Sequence, residues 1–135
     1  MKKIFSAHAI SNDTGLLILR LLSGGAMLTH GFPLFQKILQ GNFEFGDPIG
    51  LGSELSLLLA VLAQFICSIL VILGLFSRFA LIPLLLTMGV AFFIIHKDDG
   101  FGDKELALCY LGMYAALFLT GPGKYSIDSW RENKS

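Results

Sequence analysis

The stretch "GLLILRLLSGGAMLTHG", residues 15–31, consists almost entirely of apolar and small residues apart from Arg20 near its start and His30 near its end. In a soluble helix Arg20 would be a surface charge and need no comment. In a lipid bilayer the stretch is a membrane span, and Arg20 becomes the residue to explain. The rest of the 135-residue chain decides for the bilayer. Hydrophobic residues make up 54% of it and charged residues 15%, with a mean hydropathy of +0.71. Soluble domains carry about 25% charged residues, so this chain lacks the polar surface to face water all round. The length suits a single domain, residues 1–135. A net charge of zero gives no reason to expect a nucleic-acid partner.

The apolar residues fall into four runs, roughly Thr14–Gly31, Leu55–Phe76, Phe79–His96 and Leu106–Gly121. At about 1.5 Å per residue, runs of about 16 to 22 residues match a hydrocarbon layer of about 30 Å. None has one polar face, as befits helices that meet lipid on one side and protein on the other. The sequence therefore predicts an all-α membrane protein, a four-transmembrane-helix antiparallel bundle. The first run is preceded by Lys2 and Lys3, as a signal peptide would be, but Asp13 and Arg20 interrupt it and no small-residue cleavage site closes it, so it is expected to remain in the mature protein.

Connections and flanking charges complete the topology. "LFSRF" is a tight turn between the second and third runs. The long connection Phe32–Ser53 contains "FPLFQKILQ", whose apolar residues recur at helical spacing and predict a short interfacial helix in the 1–2 loop. With four spans both termini share a side, which holds Lys2, Lys3, Arg78, Lys124, Arg131 and Lys134 against Lys37, Lys97 and Lys104 opposite. This asymmetry predicts a multi-pass protein of the cytoplasmic (inner) membrane with both termini in the cytoplasm.

Polar residues within the spans are the candidates for chemistry. If His30 and Glu54 mark the outer face, Arg20 and Gln64 both lie about 15 Å below it. Together with Ser23 and Ser68 they would form a polar patch inside the bundle. A second layer gathers at the outer mouth, with His30, His96, Glu54 and Glu105 brought there by four helices, and Tyr110 and Tyr114, an i,i+4 pair, lining the space between. Each group also has a plainer role: Arg20 could snorkel to the headgroups, the carboxylates could cap helix starts, and the tyrosines could pack. Convergence favours His30, His96 and Glu105 as a catalytic, proton-exchanging set, and Arg20, Gln64, Tyr110 and Tyr114 as cofactor-binding residues. Cys67 and Cys109 fall at different depths and are not expected to pair. Met27, His30, His96 and Glu105 could approach a metal, but the spacing is too weak to assign a metal site.

The order of these pieces resembles the DoxX family of small four-helix membrane proteins. The matching segments are "GLLILRLLSG", the following "HG" and Lys37, "LGLFSRFA", "AFFIIH" and the closing "FLTGPGKYSID". By position, the resemblance carries over Arg20, His30, Arg78, His96, Gly121, Pro122, Gly123 and Asp128. It implies association with redox systems, among them thiosulfate:quinone oxidoreductase, resistance to catechols and quinones, and a thiol-stress oxidoreductase complex. The family often has a glutamate where this chain has Gln64, so Arg20 here lacks that counter-charge. The expected complement is a quinone, an apolar body with two carbonyl acceptors and an anionic reduced form. The chain carries no flavin, haem or NAD motif, so electrons would come from a soluble or membrane oxidoreductase partner. The alternatives are a binding or transport protein without redox chemistry of its own, and a subunit that anchors a partner. Self-association is left open.

Overall fold

The computed structural model describes residues 4–48 and 50–134, the side chains of 133 and 134 excepted. Lys2, Lys3 and the Lys134 side chain, all counted in the charge asymmetry, lie outside the described residues. Within them the chain forms five helices and no strand: α1 Asn12–Leu39, α2 Ser53–Leu73, α3 Ser77–Ile95, α4 Phe101–Thr120 and α5 Ile127–Lys134. The first three are long and apolar enough to cross a membrane. The fourth has 20 residues but opens with Asp103, Lys104 and Glu105. Its apolar part, residues 106–120, is therefore only about 22 Å long.

Four helices contribute to one core, with Met27 from α1, Cys67 and Val71 from α2, Leu81, Leu84 and Met88 from α3, and Tyr110, Tyr114 and Leu117 from α4. Many apolar side chains on the opposite faces are exposed, among them Leu22, Phe79, Leu86 and Phe93. A soluble domain would not leave so much apolar area in water, and a membrane protein presents it to lipid.

The expected interfacial helix in the 1–2 loop is absent. Residues 32–39 continue α1 in one 28-residue helix that carries Pro33 inside it. The extension is held by aromatic packing, since Phe35 stacks on Phe65 of α2 with ring centroids 4.6 Å apart and planes within 7°. Phe32 packs on the same ring at 6.3 Å. Interfacial spacing and a continued helix have the same period, so the sequence pattern did not separate them.

One stripe of α1 is built for close approach. Its buried residues are Arg20, Ser23, Gly24, Met27 and Gly31. A Cβ added to Gly31 would lie 2.3 Å from the backbone oxygen of Gln64, which cannot yield as a side chain could. Gly31 therefore sets the distance between α1 and α2. At the same level α2 departs from α-helical geometry, with a π-helical segment over Leu62–Cys67. A second π-helical segment, Ala91–Ile95, ends α3.

Gly31→Ala should lower thermal stability in detergent by about 1–3 kcal/mol, the usual cost of overpacking. Gly25→Ala, where an added Cβ meets nothing within 4 Å, should be neutral or stabilising. Equal effects of the two substitutions would mean that Gly31 does not set the helix separation.

Candidate functional site

The two ends of the bundle differ in character, and Arg20 belongs to the end opposite the 1–2 loop. Its side chain is 2% exposed. Nε donates to the Val71 carbonyl at 3.0 Å and Nη2 to that of Ile72 at 2.7 Å. Nη1 donates to Pro122 at 3.1 Å and Tyr125 at 2.9 Å. Val71 and Ile72 sit in the last turn of α2, where carbonyls lack i+4 helical partners, and the Val71 oxygen also accepts from the Gly74 amide at 3.1 Å. The guanidinium thus caps α2 while tying α1 to the segment after α4.

Other residues complete this clasp. Gly74 ends α2 at φ 68°, and a Cβ there would fall 2.3 Å from that of Ser126, so only glycine fits. Its carbonyl accepts from the Asp128 amide at 2.8 Å. The Asp128 carboxylate returns to accept from the Phe76 and Ser77 amides, both at 2.8 Å, capping α3 from another helix. Asp13 accepts from the Lys124 amide at 3.0 Å, and Arg78 Nε donates to Phe118 at 3.0 Å. Ser126 caps α5, accepting from the Ser129 amide at 3.2 Å.

The expected pairing of Arg20 with Gln64 is therefore corrected. The depth estimate took His30 as the end of α1, whereas the helix runs on to Leu39. Gly31 is the residue that meets Gln64, and it lies about 16 Å along α1 from Arg20. All three guanidinium nitrogens of Arg20 donate to backbone carbonyls, none to Gln64. The sequence held a signal for this role, because the orphan carbonyls before Gly74 call for a donor.

The remaining predicted residues separate into small groups. Tyr110 and Tyr114 are buried and stack at 5.9 Å, and the Tyr114 hydroxyl donates to the Ser23 carbonyl at 3.0 Å. His30, exposed on α1, lies edge-on to Tyr110 at 6.1 Å. His96 pairs instead with Asp99, Nδ1 to Oδ2 at 2.7 Å. No hydrogen bond or ring contact among the described residues joins the two histidines, and Glu105 is exposed. Cys67 and Cys109 are free thiols. Met27 is buried in the core.

The loop end holds an apolar cavity of about 410 Å³. It lies between the first half of α2 and the second half of α3, and Phe45, Pro48 and Leu51 of the 1–2 connection cover it. Both π-helical segments line it, through Leu62, Ala63 and Gln64 on α2 and Ala91 and Ile95 on α3. Such segments are frequent at functional sites because they redirect side chains and free backbone groups. Ser56 hydrogen-bonds Asp47 at 3.3 Å, which fastens the covering loop. Thr87 donates to the Pro83 carbonyl at 2.8 Å. The Gln64 amide, half-buried, makes no side-chain hydrogen bond among the described residues, leaving a donor and an acceptor in an apolar wall. Its expected place as a ligand-facing residue thus has a cavity to serve, without Arg20.

Comparison with known proteins agrees with the order of motifs. The DoxX family model matches residues 15–97. An uncharacterized protein of Haemophilus influenzae is 31% identical over 125 residues, covering 84% of this chain and 88% of its own length. No solved structure matches significantly.

Arg20→Met should cost about 3 kcal/mol or more, because it strands buried carbonyls that share one guanidinium. Arg20→Lys should recover only part, since an ammonium cannot span the same fork. Asp128→Ala should cost about 1–2 kcal/mol through loss of the α3 cap. Thermal unfolding in detergent checks all three, and a fully stable Arg20→Met would contradict the clasp.

Proposed function

This chain belongs to the DoxX family of multi-pass membrane proteins, and we propose that it binds a quinone or similar lipophilic carbonyl compound in the cavity between α2 and α3, as the membrane component of a redox system. The observation that carries this reading is the Gln64 amide, without a side-chain partner in a mostly apolar cavity whose other polar side chains, Ser56 and Thr87, are already hydrogen-bonded. An amide can donate to a carbonyl through its NH2 and accept from a hydroxyl through its oxygen, so it suits both oxidation states of such a ligand. When bound, the ligand would supply reversible two-electron chemistry. The chain's own part is to hold it, orient it through Gln64 and exclude water with the 43–51 loop. The electron donor is a partner oxidoreductase.

In this reading α4 crosses the membrane as a fourth, shorter span, and both termini lie on the cytoplasmic side of the inner membrane. Its shortness is accommodated by local thinning or by snorkelling of Lys104. His30, His96 and Glu105 act at the loop end as separate proton-exchanging groups, each with its own surroundings. A second reading, binding or transport of an apolar solute without redox chemistry, is favoured by the absence of any titratable side chain among the described residues lining the cavity.

A short-tailed benzoquinone should bind the detergent-purified protein. Gln64→Leu should weaken it by about tenfold, the loss of a hydrogen bond of about 1.4 kcal/mol. An alkylbenzene of similar size should bind both forms equally. No binding, or equal quinone affinity in both forms, would overturn the site. Protein-dependent turnover of the quinone with a membrane reductant fraction supports the redox reading, and vesicle uptake without reduction supports the second. A fluorescent protein fused after Ser135 should be active, whereas periplasmic phosphatase activity there would reverse the topology.

A further inference from the structure

A second cavity, about 680 Å³ in volume, opens at the clasp end between the start of α3 and α5, far from the apolar cavity. Arg78 and Arg131 both line it. Arg78 is anchored through Nε to the Phe118 carbonyl, which leaves its terminal Nη groups for another acceptor. Arg131 lies over the Phe76 ring, with Cζ 4.9 Å from its centroid. Asp128 also lines the cleft, but both its oxygens already accept from the Phe76 and Ser77 amides. Glu132 is the other acid on its wall.

The floor carries the more telling feature. Ser77 lies between this cleft and a small closed void bordered by Arg20 and Leu81, and its buried Oγ has no hydrogen-bond partner. A buried hydroxyl without a partner is rare. It sits at the start of α3, whose next amides, those of Arg78 and Phe79, follow the pair capped by Asp128. Exposed Phe76, Phe79 and Trp130 complete the wall. Aromatic rings with arginines at the end of an apolar helix mark the level of lipid headgroups.

We propose that this cleft binds the phosphate group of a membrane phospholipid. Two guanidinium groups match a phosphodiester in charge and in their forked donor geometry. The α3 N-terminus adds neutral backbone donors and a favourable dipole. Free inorganic phosphate shares this chemistry, and the aromatic wall, which suits glycerol and acyl carbons, favours the lipid. The site is independent of any ligand in the apolar cavity.

The test is native mass spectrometry of the full chain in mild detergent, with phosphatidylglycerol, diacylglycerol or inorganic phosphate added. Phosphatidylglycerol adducts should form and diacylglycerol adducts should not. Arg131→Gln, on the exposed C-terminal helix, should reduce the adducts about tenfold, and Arg78→Gln by at least as much. Arg131→Gln keeps the test decisive even if Arg78→Gln fails to fold. Excess inorganic phosphate should not displace the lipid. Adducts unaffected by Arg131→Gln, or equal adducts with diacylglycerol, would overturn the site. Arginine-dependent binding of inorganic phosphate that displaces the lipid would overturn the lipid assignment.

Discussion

A single guanidinium spread over the carbonyls of Val71, Ile72, Pro122 and Tyr125 fixes the geometry of one end of this bundle. An arginine inside a membrane helix is costly unless its donors find acceptors, and here every nitrogen of the guanidinium finds a backbone carbonyl. The same contacts hold α2 at its final turn and the segment after α4 at its first. With that end closed, Asp128 reaches α3 and caps it. Remove the arginine and the carbonyls it serves are left in a dry interior.

The other end can then afford looseness. There α2 and α3 both pass into π-helical geometry around a cavity lined by apolar side chains and Gln64. The covering loop is held by few contacts, such as Ser56 to Asp47 and Lys37 to the Glu44 carbonyl. A rigid polar clasp at one end and an adaptable apolar cleft at the other suit a protein that admits ligands sideways from the bilayer. The segments around Gly74–Arg78 and Gly121–Asp128 are architectural. Their residues are spent on closing the bundle.

Much of this was legible in the sequence. The apolar runs locate all four long helices, and "FLTGPGKYSID" marks the piece that becomes the clasp. What the sequence misplaced was depth. His30 resembled a helix end because the first apolar run closes at Gly31, yet Phe35 stacking on Phe65 carries α1 onward. That shift put Arg20 beside Gln64 on paper and beside Val71 in the fold. Periodicity places residues around a helix well, but along it only as well as its ends are known. The histidines were likewise grouped by depth alone, while local contacts send His96 to Asp99 and His30 to Tyr110. The cavity was invisible because its walls are ordinary leucines, alanines and prolines.

The central claim is a division of labour, with Arg20 architectural and Gln64 facing the ligand. Side-chain nitrogen NMR of the protein in micelles tests it most directly, by following Arg20 Nε–H and the Gln64 amide as a short-tailed benzoquinone is added. The account predicts an Arg20 proton protected from exchange and unmoved by the ligand, with a clear shift at Gln64. A shift at Arg20 with Gln64 unchanged would contradict it.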